Sequence, residues 1–282
     1  DCSSLNSIGS SAFRGCSDLS NVNFTDCSSL NSIDEGAFQY CTALTSVDFS
    51  SCSSLQTIDD SAFYNCTALT NVDFTNCTDL TSINSHVFVE CALKSLDFTD
   101  CSSLETIGTG AFKECAALTS VDFTDCHSLN SIGSDAFAYC RDLSSVNFTN
   151  CIDLSSIGTW AFYECSALNS VDFSSCSSLQ TIGNKAFYNC TALTSVDFTD
   201  CHSLNSIDYS AFENCYDLSN VDFTDCSSLN SIGDSAFQEC SALTRVDFSG
   251  CTDLSSIGNW AFFQCPLTSV DFTDCSSLQT IG

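Results

Sequence analysis

The sequence predicts a repeat solenoid of the α/β type, mostly β, in which short coils stack into one continuous array. The first observation is a unit of 25 residues, C-x-x-L-x-x-V-D-F-T-x-C-x-x-L-x-S-I-G-x-x-A-F-x-x, which recurs about eleven times. The second is the cysteine spacing, which alternates between fourteen and eleven residues except for single-residue deletions after Cys91 and Cys265. Units with a fixed period bury their apolar faces against copies of themselves. We therefore expect residues 1–282 to form a single domain without linkers.

The residue pattern of each unit predicts a strand, a second short strand and one helical turn. Residues 19–24 read Leu-x-x-Val-x-Phe, and the two-residue period of a strand puts Val and Phe on one face and Asn23 on the other. Residues 30–33 predict the second strand, and the Gly or Asp that follows this segment favours a turn. Residues 10–13, two serines before Ala and Phe, predict one turn of α-helix or 3-10 helix. Stacked copies would form parallel sheets with coils about 4.8 Å apart.

The array is expected to have low curvature and to continue beyond this segment. Full helices pack about 8–10 Å apart whereas strands pack about 4.8 Å apart, and each unit has room for only one helical turn. The sequence starts and stops within a unit, and residues 274–282 nearly repeat residues 1–9 without the polar caps that usually close a solenoid. We therefore expect a window of a longer array, in which copies meet end to end and form a filament.

Charge and hydropathy argue against two classes of function. There are 35 acidic and six basic side chains, and the net charge of -29 argues against nucleic-acid binding, which requires clustered Lys and Arg. No apolar run approaches the roughly 20 residues that span a bilayer, so no membrane span is predicted. Because the 44% of apolar residues lie in regular columns, we expect a folded array rather than a disordered tract.

The turn and the cysteine that follows it carry a family resemblance. The pattern I-G-x-x-A-F-x-x-C occurs at residues 8–16, 107–115, 132–140 and 232–240. Together with C-x-x-L-x-x-V-x-F, it resembles the BspA-like leucine-rich repeats, a family of microbial surface proteins. The resemblance implies a right-handed leucine-rich-repeat solenoid, an extracellular or cell-surface location, a role in adhesion or surface coating, and no enzyme activity. The units here are a couple of residues longer than those of the family, and they carry a second cysteine, as at Cys27, where the family often has proline.

The 23 cysteines leave three alternatives open: a disulfide framework, a metal array, or a ladder of buried reduced thiols. No C-x-x-C motif occurs, which disfavours zinc. The two cysteines of one coil are expected at opposite ends of a strand, beyond the roughly 4.4–6.8 Å Cα separation of a disulfide. Cysteines of neighbouring coils would be close enough, although a parallel stack seldom offers the required torsion. The pattern favours reduced thiols that pack as small hydrophobic side chains.

Acidic residues occupy the outward position between Val and Phe in most coils. Like charges about 5 Å apart repel one another, so hydration, raised pKa values or bound cations must relieve the repulsion. One interpretation is a solvated face that maintains solubility and needs no metal or other cofactor. The alternative is weak Ca²⁺ binding between coils through carboxylate oxygens, for which the candidates are Asp48, Asp73, Asp97 and Asp122.

Five N-x-[ST] sequons predict sites for N-linked glycans: Asn23, Asn65, Asn76, Asn147 and Asn189. Asn23 and Asn147 are expected on the exposed side of the strand, where a glycan would fit. Occupancy would require a eukaryotic secretory route, which the sequence does not establish.

Aromatic residues mark a further candidate surface. Trp160 and Trp260 share one position in the repeat, directly before Ala-Phe, and Tyr163 and Phe263 lie close to them in sequence. Two interpretations remain open: these side chains stack on sugars or on a partner chain, or they only cover the edge of the coil.

No catalytic site is predicted. His127 and His202 share a position, but no serine or cysteine nucleophile with an orienting acid differs from its many copies. Two functional classes remain: an extracellular structural rod or filament, glycosylated on its surface, and a cell-surface adhesin or receptor that binds a protein or glycan through its strand face. Receptors diversify their exposed strand positions, whereas these positions are uniform here. The sequence therefore favours the structural interpretation.

Overall fold

The computed structural model describes residues 2–282 and consists of short strands joined by tight turns. Most coils contain one strand of three residues and one of two. Within these residues there is no helix, and so none that could cross a membrane. The 22 strands are, in chain order, β1 (Ser7–Ile8), β2 (Ser32–Ile33), β3 (Ser46–Asp48), β4 (Thr57–Ile58), β5 (Asn71–Asp73), β6 (Ser82–Ile83), β7 (Ser95–Asp97), β8 (Thr106–Ile107), β9 (Ser120–Asp122), β10 (Ser131–Ile132), β11 (Ser145–Asn147), β12 (Ser156–Ile157), β13 (Ser170–Asp172), β14 (Thr181–Ile182), β15 (Ser195–Asp197), β16 (Ser206–Ile207), β17 (Asn220–Asp222), β18 (Ser231–Ile232), β19 (Arg245–Asp247), β20 (Ser256–Ile257), β21 (Ser269–Asp271) and β22 (Thr280–Ile281).

Strands pair in parallel with their copies in neighbouring coils. The two-residue strands form one 12-stranded sheet from β1 to β22; the three-residue strands form an 8-stranded sheet from β21 to β7 and a 2-stranded sheet of β3 and β5. The register is regular, since Ile132 lies opposite Ile107 in one neighbouring coil and Ile157 in the other. Residues 19–24 form no strand in the first coil, although their later copies do. The chain is therefore the predicted parallel solenoid of about 11 turns.

The core confirms the alternation expected of the three-residue strands. In β3, Val47 is buried and Asp48 is exposed, and Phe49 directly after the strand is fully buried. Two columns of phenylalanine fill the interior, one after the strand and one in the turn, and Phe49 meets Phe63 edge to face at 6.3 Å. Ring centroids are 5.1–5.4 Å apart in the turn column and 5.1–5.9 Å apart in the strand column. Nearly equal spacing in both columns is the geometry expected of a stack with low curvature.

The prediction of a helical turn at residues 10–13 is wrong, and the equivalent residues of the other coils are not helical either. The chain forms consecutive tight turns instead, one of which is closed by a 3.1 Å hydrogen bond from Arg14 N to Ser11 O. Ser11 has a φ of 58°, and a left-handed residue of this kind reverses the helical winding. Alternate N–H groups then point to the next coil, as Phe13 N does when it donates to Ala37 O at 2.7 Å. Hydrogen bonding between coils therefore continues through the turn, whereas a helix would bond within itself.

The cysteines are free thiols and form two columns beside the phenylalanines, in agreement with the predicted ladder. All are buried except Cys2, Cys16, Cys265 and Cys275. From Cys66 to Cys275, each Sγ donates to the carbonyl oxygen of a phenylalanine in the preceding coil, over 3.0–3.9 Å. The thiols therefore connect adjacent coils as well as filling space.

Candidate functional site

The strand face of the rod is uniform, and its aspartates have a structural role. Asp122 Oδ1 accepts hydrogen bonds from Thr124 N at 2.9 Å and from Thr124 Oγ1 at 2.6 Å. Asn147 Oδ1 accepts the corresponding bonds from Thr149 N at 3.0 Å and Thr149 Oγ1 at 2.7 Å. Asp and Asn readily form side-chain turns of this type. Turn geometry therefore explains the repeated pattern of Asp or Asn followed by Thr or Ser.

The calcium candidates belong to this row of turns. Asp48 lies opposite Asp73, and Asp97 lies opposite Asp122, in neighbouring strands. One oxygen of each carboxylate accepts a backbone N–H of its own turn. Across residues 2–282, no three His, Cys, Asp or Glu side chains are grouped so that they could hold a metal ion. Calcium binding by this row stays a prediction.

A second surface varies from coil to coil. We call it the turn edge, and it consists of residues 108–116 and their copies in the other coils. It contains all seven tyrosines and both tryptophans of the chain, and four of its six basic residues: Arg14, Lys113, Arg141 and Lys185. Most of the chemical variety is therefore concentrated at one edge of an acidic and otherwise repetitive rod.

Eight side chains of the turn edge gather in consecutive coils, and we call them the aromatic–basic cluster: Lys113, Tyr139, Arg141, Trp160, Tyr163, Lys185, Tyr188 and Tyr209. The rings of Tyr163 and Tyr188 stack with centroids 5.1 Å apart and planes 6° apart. Tyr139 meets Tyr163 edge to face at 5.4 Å, and Trp160 is inclined at 68° to Tyr163 at 6.4 Å. Each such pair contributes about 0.5–1.5 kcal/mol beyond area burial, so the rings support one another.

The basic side chains of the cluster lie over tyrosine rings. Lys185 Nζ is 5.0 Å from the ring centroid of Tyr188 and 5.7 Å from that of Tyr209. Lys113 Nζ and Arg141 Cζ are each 5.8 Å from the centroid of Tyr139. A cation within about 6 Å of an aromatic face is attracted by the ring quadrupole. The tyrosines therefore restrict where the three charges can lie.

Two of the three cations are also paired with carboxylates. Lys113 Nζ lies 3.0 Å from Asp135 Oδ1, and Arg141 Nη2 lies 3.0 Å from Glu164 Oε2. Lys185 forms no ion pair with the described residues. Its ammonium is therefore the cation of the cluster that remains available to a ligand carboxylate.

Open clefts border the cluster. One cleft of about 420 Å³ is lined by Lys113, Glu114, Ala116, Tyr139 and Arg141. Another of about 190 Å³ is lined by Lys113, Asp135, Tyr139, Trp160, Tyr163 and Lys185. Lys113 and Tyr139 line both clefts, so a ligand longer than one cleft could contact both.

The central tyrosines keep their protons at neutral pH. Burial raises the pKa of Tyr163, and the nearby Glu164 raises it further. Burial also raises the pKa of Tyr188, with a further contribution from Glu213. Their hydroxyl groups are thus neutral and can donate hydrogen bonds.

The sequence predicted only part of this arrangement. Trp160 and Tyr163 belong to the cluster, whereas Trp260 and Phe263 line a separate cleft of about 320 Å³ beside Gln238. The remaining members of the cluster were missed. A signal was present, because most of the few basic residues fall at the turn edge, where all the tyrosines also lie.

The two histidines noted in the sequence lie apart from the cluster. His127 Nδ1 contacts the carbonyl oxygen of Asp125, and His202 Nδ1 lies 3.0 Å from that of Asp225. Each imidazole thus interacts with the backbone at its own corner of the rod, and no hydrogen bond joins either of them to a serine or cysteine side chain in the described chain.

The predicted sequons differ in accessibility. Asn23, Asn76 and Asn147 are exposed, whereas Asn65 and Asn189 are half-buried. Asn65, Asn76 and Asn189 have φ values of 57°, 61° and 63°, which places all three in left-handed turns. Glycosylation stays a prediction at all five positions.

Comparison with known proteins identifies the repeat. A profile described as "BspA type Leucine rich repeat region (6 copies)" matches residues 2–115, 81–178 and 175–282. No curated protein matches the sequence. Among solved structures, a leucine-rich repeat protein from Bacteroides ovatus ATCC 8483 is 25% identical with a TM-score of 0.43, covering 90% of this chain and 78% of that chain.

Two further solved structures are similar over much of their length. A leucine rich cell surface protein from Faecalibacterium prausnitzii A2-165 is 22% identical with a TM-score of 0.46, covering 100% of this chain and 70% of that chain. The leucine-rich repeat protein of T. pallidum is 22% identical with a TM-score of 0.46, covering 75% of this chain and 77% of that chain. Because the profile matches extend from residue 2 to residue 282, this chain belongs to the BspA-type leucine-rich repeat family.

Proposed function

We propose that this chain is a non-enzymatic recognition rod of the cell surface, an adhesin or receptor that binds its partner through the aromatic–basic cluster. The observation that carries this proposal is the confinement of every tyrosine, both tryptophans and most basic residues to one edge of a uniform acidic rod. Aromatic residues and Arg are enriched where proteins bind partners. Membership of the BspA-type family supports a surface role.

The turn edge suits recognition better than the strand face considered from the sequence. Asp122 and Asn147 on the strand face are engaged in their own turns. On the turn edge, Trp160 is 44% exposed and Lys185 has no carboxylate partner in the described chain. The turn edge therefore combines exposed aromatic surface with an available charge.

A binding panel tests the proposal. The purified chain is coupled to beads and exposed to a panel of purified glycans and glycoproteins. We expect Tyr139→Ala combined with Trp160→Ala to reduce binding at least tenfold, because truncating interface aromatics commonly costs about 2 kcal/mol or more. The control is Tyr40→Ala, an exposed turn-edge tyrosine that contacts Arg14 and Tyr64 rather than members of the cluster, which should bind as the wild type does. Equal binding by both variants, with unchanged circular dichroism spectra, would refute a role for the cluster.

A structural filament is the second candidate function. Nearly equal spacing of the two phenylalanine columns favours straight stacking of coils, and straight units that meet end to end generate filaments. Glycans at the exposed Asn23, Asn76 and Asn147 would coat such filaments. Electron microscopy over a range of protein concentrations tests this candidate. Short single rods at every concentration would contradict it.

A further inference from the structure

We propose that the aromatic–basic cluster binds an acidic oligosaccharide, with one sugar ring against Trp160 and a carboxylate of the same glycan on the Lys185 ammonium. This ligand class belongs to the site proposed above and depends on that proposed function. Both side chains line the same cleft of about 190 Å³. A single ligand can therefore contact them together.

Trp160 offers a ring face to such a ligand. The rings of Tyr163 and Tyr188 come from adjacent coils and are stacked 5.1 Å apart, so their planes lie across the direction of stacking and a ligand meets their edges. The indole of Trp160 is inclined at 68° to Tyr163, so its plane runs along the rod. A pyranose ring has a face of C–H groups that is complementary to a flat aromatic surface. The 44% exposure of Trp160 leaves room for this contact.

Lys185 supplies the charge that selects an acid. Its ammonium lies over Tyr188 and Tyr209, which restricts its position without neutralising it. Lys113 and Arg141 already have carboxylate partners at 3.0 Å. A ligand carboxylate at Lys185 would form a charge-assisted hydrogen bond, which is about twice as strong as a neutral one.

The charge distribution restricts an acidic ligand to this place. The chain has a net charge of -29, so most of its surface repels anions. Charges farther away than the Debye length of about 8 Å are largely screened at physiological salt. Lys113 and Arg141 are paired with Asp135 and Glu164, so the unpaired Lys185 ammonium is the cation that a ligand carboxylate meets at the cluster. A nucleic acid would extend its phosphates over the acidic surface around the cluster, and an acidic peptide lacks the pyranose face. A short acidic glycan satisfies both the aromatic and the charged groups.

Calorimetry with a matched pair of ligands tests this inference. Tetragalacturonate carries carboxylates, and its methyl ester has the same sugar rings without the charges. We expect the wild type to bind the acid about tenfold more tightly than the ester, because a hydrogen bond to a charged group contributes about 1.5 kcal/mol. Lys185→Met should bind the acid about tenfold more weakly than the wild type does, with its affinity for the ester unchanged. Trp160→Ala should weaken binding of both ligands. Lys94→Met removes an exposed lysine outside the turn edge and should change neither affinity.

Other results of the calorimetry would contradict the inference in distinguishable ways. Equal affinity for acid and ester, or identical affinities for Lys185→Met and Lys94→Met, would overturn acid selection and leave the recognition function standing. Absence of binding to both ligands by the folded wild type would overturn the oligosaccharide assignment, while the binding panel decides the recognition function separately. Binding of a tetrapeptide of glutamate with the same dependence on Trp160 would assign the cluster to a protein partner. Circular dichroism and thermal unfolding verify that each variant is folded.

Discussion

The thiol of Cys165 donates a hydrogen bond of 3.2 Å to the carbonyl oxygen of Phe137, 28 residues earlier in the chain. The same oxygen accepts the backbone N–H of Cys140, in its own coil, at 3.2 Å. One carbonyl at this corner therefore receives a donor from its own coil and a donor from the next. Cysteine suits the position because it is small, apolar and still carries a weak S–H donor.

Cys165→Ala tests the contribution of the thiol. This substitution removes buried volume and the S–H donor, but the Phe137 carbonyl keeps its backbone partner. We expect the free energy of unfolding to fall by about 1–2 kcal/mol. Cys16→Ala is the matched control, because Cys16 occupies the same column but is exposed, and its effect should stay within about 0.5 kcal/mol. Equal urea denaturation curves for the two variants would show that the thiols do not stabilise the stack.

Stability should decrease in alkaline solution. Burial raises the pKa of Cys66, Cys115 and Cys126 to about 12, whereas the unfolded value is about 8.5. The folded chain therefore keeps thiol protons that the unfolded chain loses. The stabilisation is fully present below about pH 8.5 and falls as pH rises towards 12, by up to about 1.4 kcal/mol per pH unit for each thiol. Thermal unfolding at a series of alkaline pH values measures this effect, and a constant Tm across the series would contradict it.

Thiol alkylation should distinguish the first coil from the interior. Cys2 and Cys16 are exposed, whereas most other cysteines are buried. Only the thiolate reacts, and burial disfavours the thiolate as well as blocking the reagent. In the folded 282-residue chain, we expect iodoacetamide to modify these two residues first and the buried thiols only after unfolding. Mass spectrometry of timed samples gives the order, and early modification of Cys165 would contradict the buried ladder.

The repeat made the strands and core predictable, but it did not make the turns predictable. Val47 and Phe49 face inward because the same two-residue alternation occurs in coil after coil. Residues 10–13 have a composition that suits a helical turn, yet Ser11 adopts a left-handed φ of 58°, which is uncommon for a residue with a Cβ. Inter-coil hydrogen bonds such as that from Phe13 N to Ala37 O offset this local cost. Local sequence patterns do not reveal such long-range bonds.

The aromatic–basic cluster also could not be predicted in full from local sequence patterns. Trp160 stands out in the sequence because it is a rare residue that shares its position with Trp260. The position of Lys185 depends on Tyr209, which lies 24 residues farther along the chain and approaches only because coils stack. The turn copies of successive coils form columns, and only an alignment of these columns places Lys185 beside Tyr209.

Substitutions of Asp122 distinguish the contribution of the turn hydrogen bonds to stability from that of the charge on the strand face. Asp122→Ala removes the oxygen that accepts the N–H and hydroxyl of Thr124, and we expect a loss of about 1 kcal/mol in the free energy of unfolding. Asp122→Asn keeps an acceptor oxygen, as Asn147 does for Thr149. It also removes one charge from a pair, since Asp122 lies opposite Asp97. The Asn variant should therefore match or slightly exceed the stability of the wild type, most clearly at low salt, where like charges repel most strongly.

Urea denaturation of the wild type and both Asp122 variants, at low and at high salt, measures these differences. Equal losses for Ala and Asn would contradict the turn role, because the two side chains differ in the acceptor oxygen and share only the absence of charge. Adding Ca²⁺ to the same samples tests the remaining alternative for the strand face. Asp122→Asn leaves the Asp48–Asp73 pair intact. A smaller stabilisation of Asp122→Asn than of the wild type by Ca²⁺ would therefore show that the carboxylates bind the ion between coils, because an amide oxygen preserves the turn but is a weaker ligand for a hard cation.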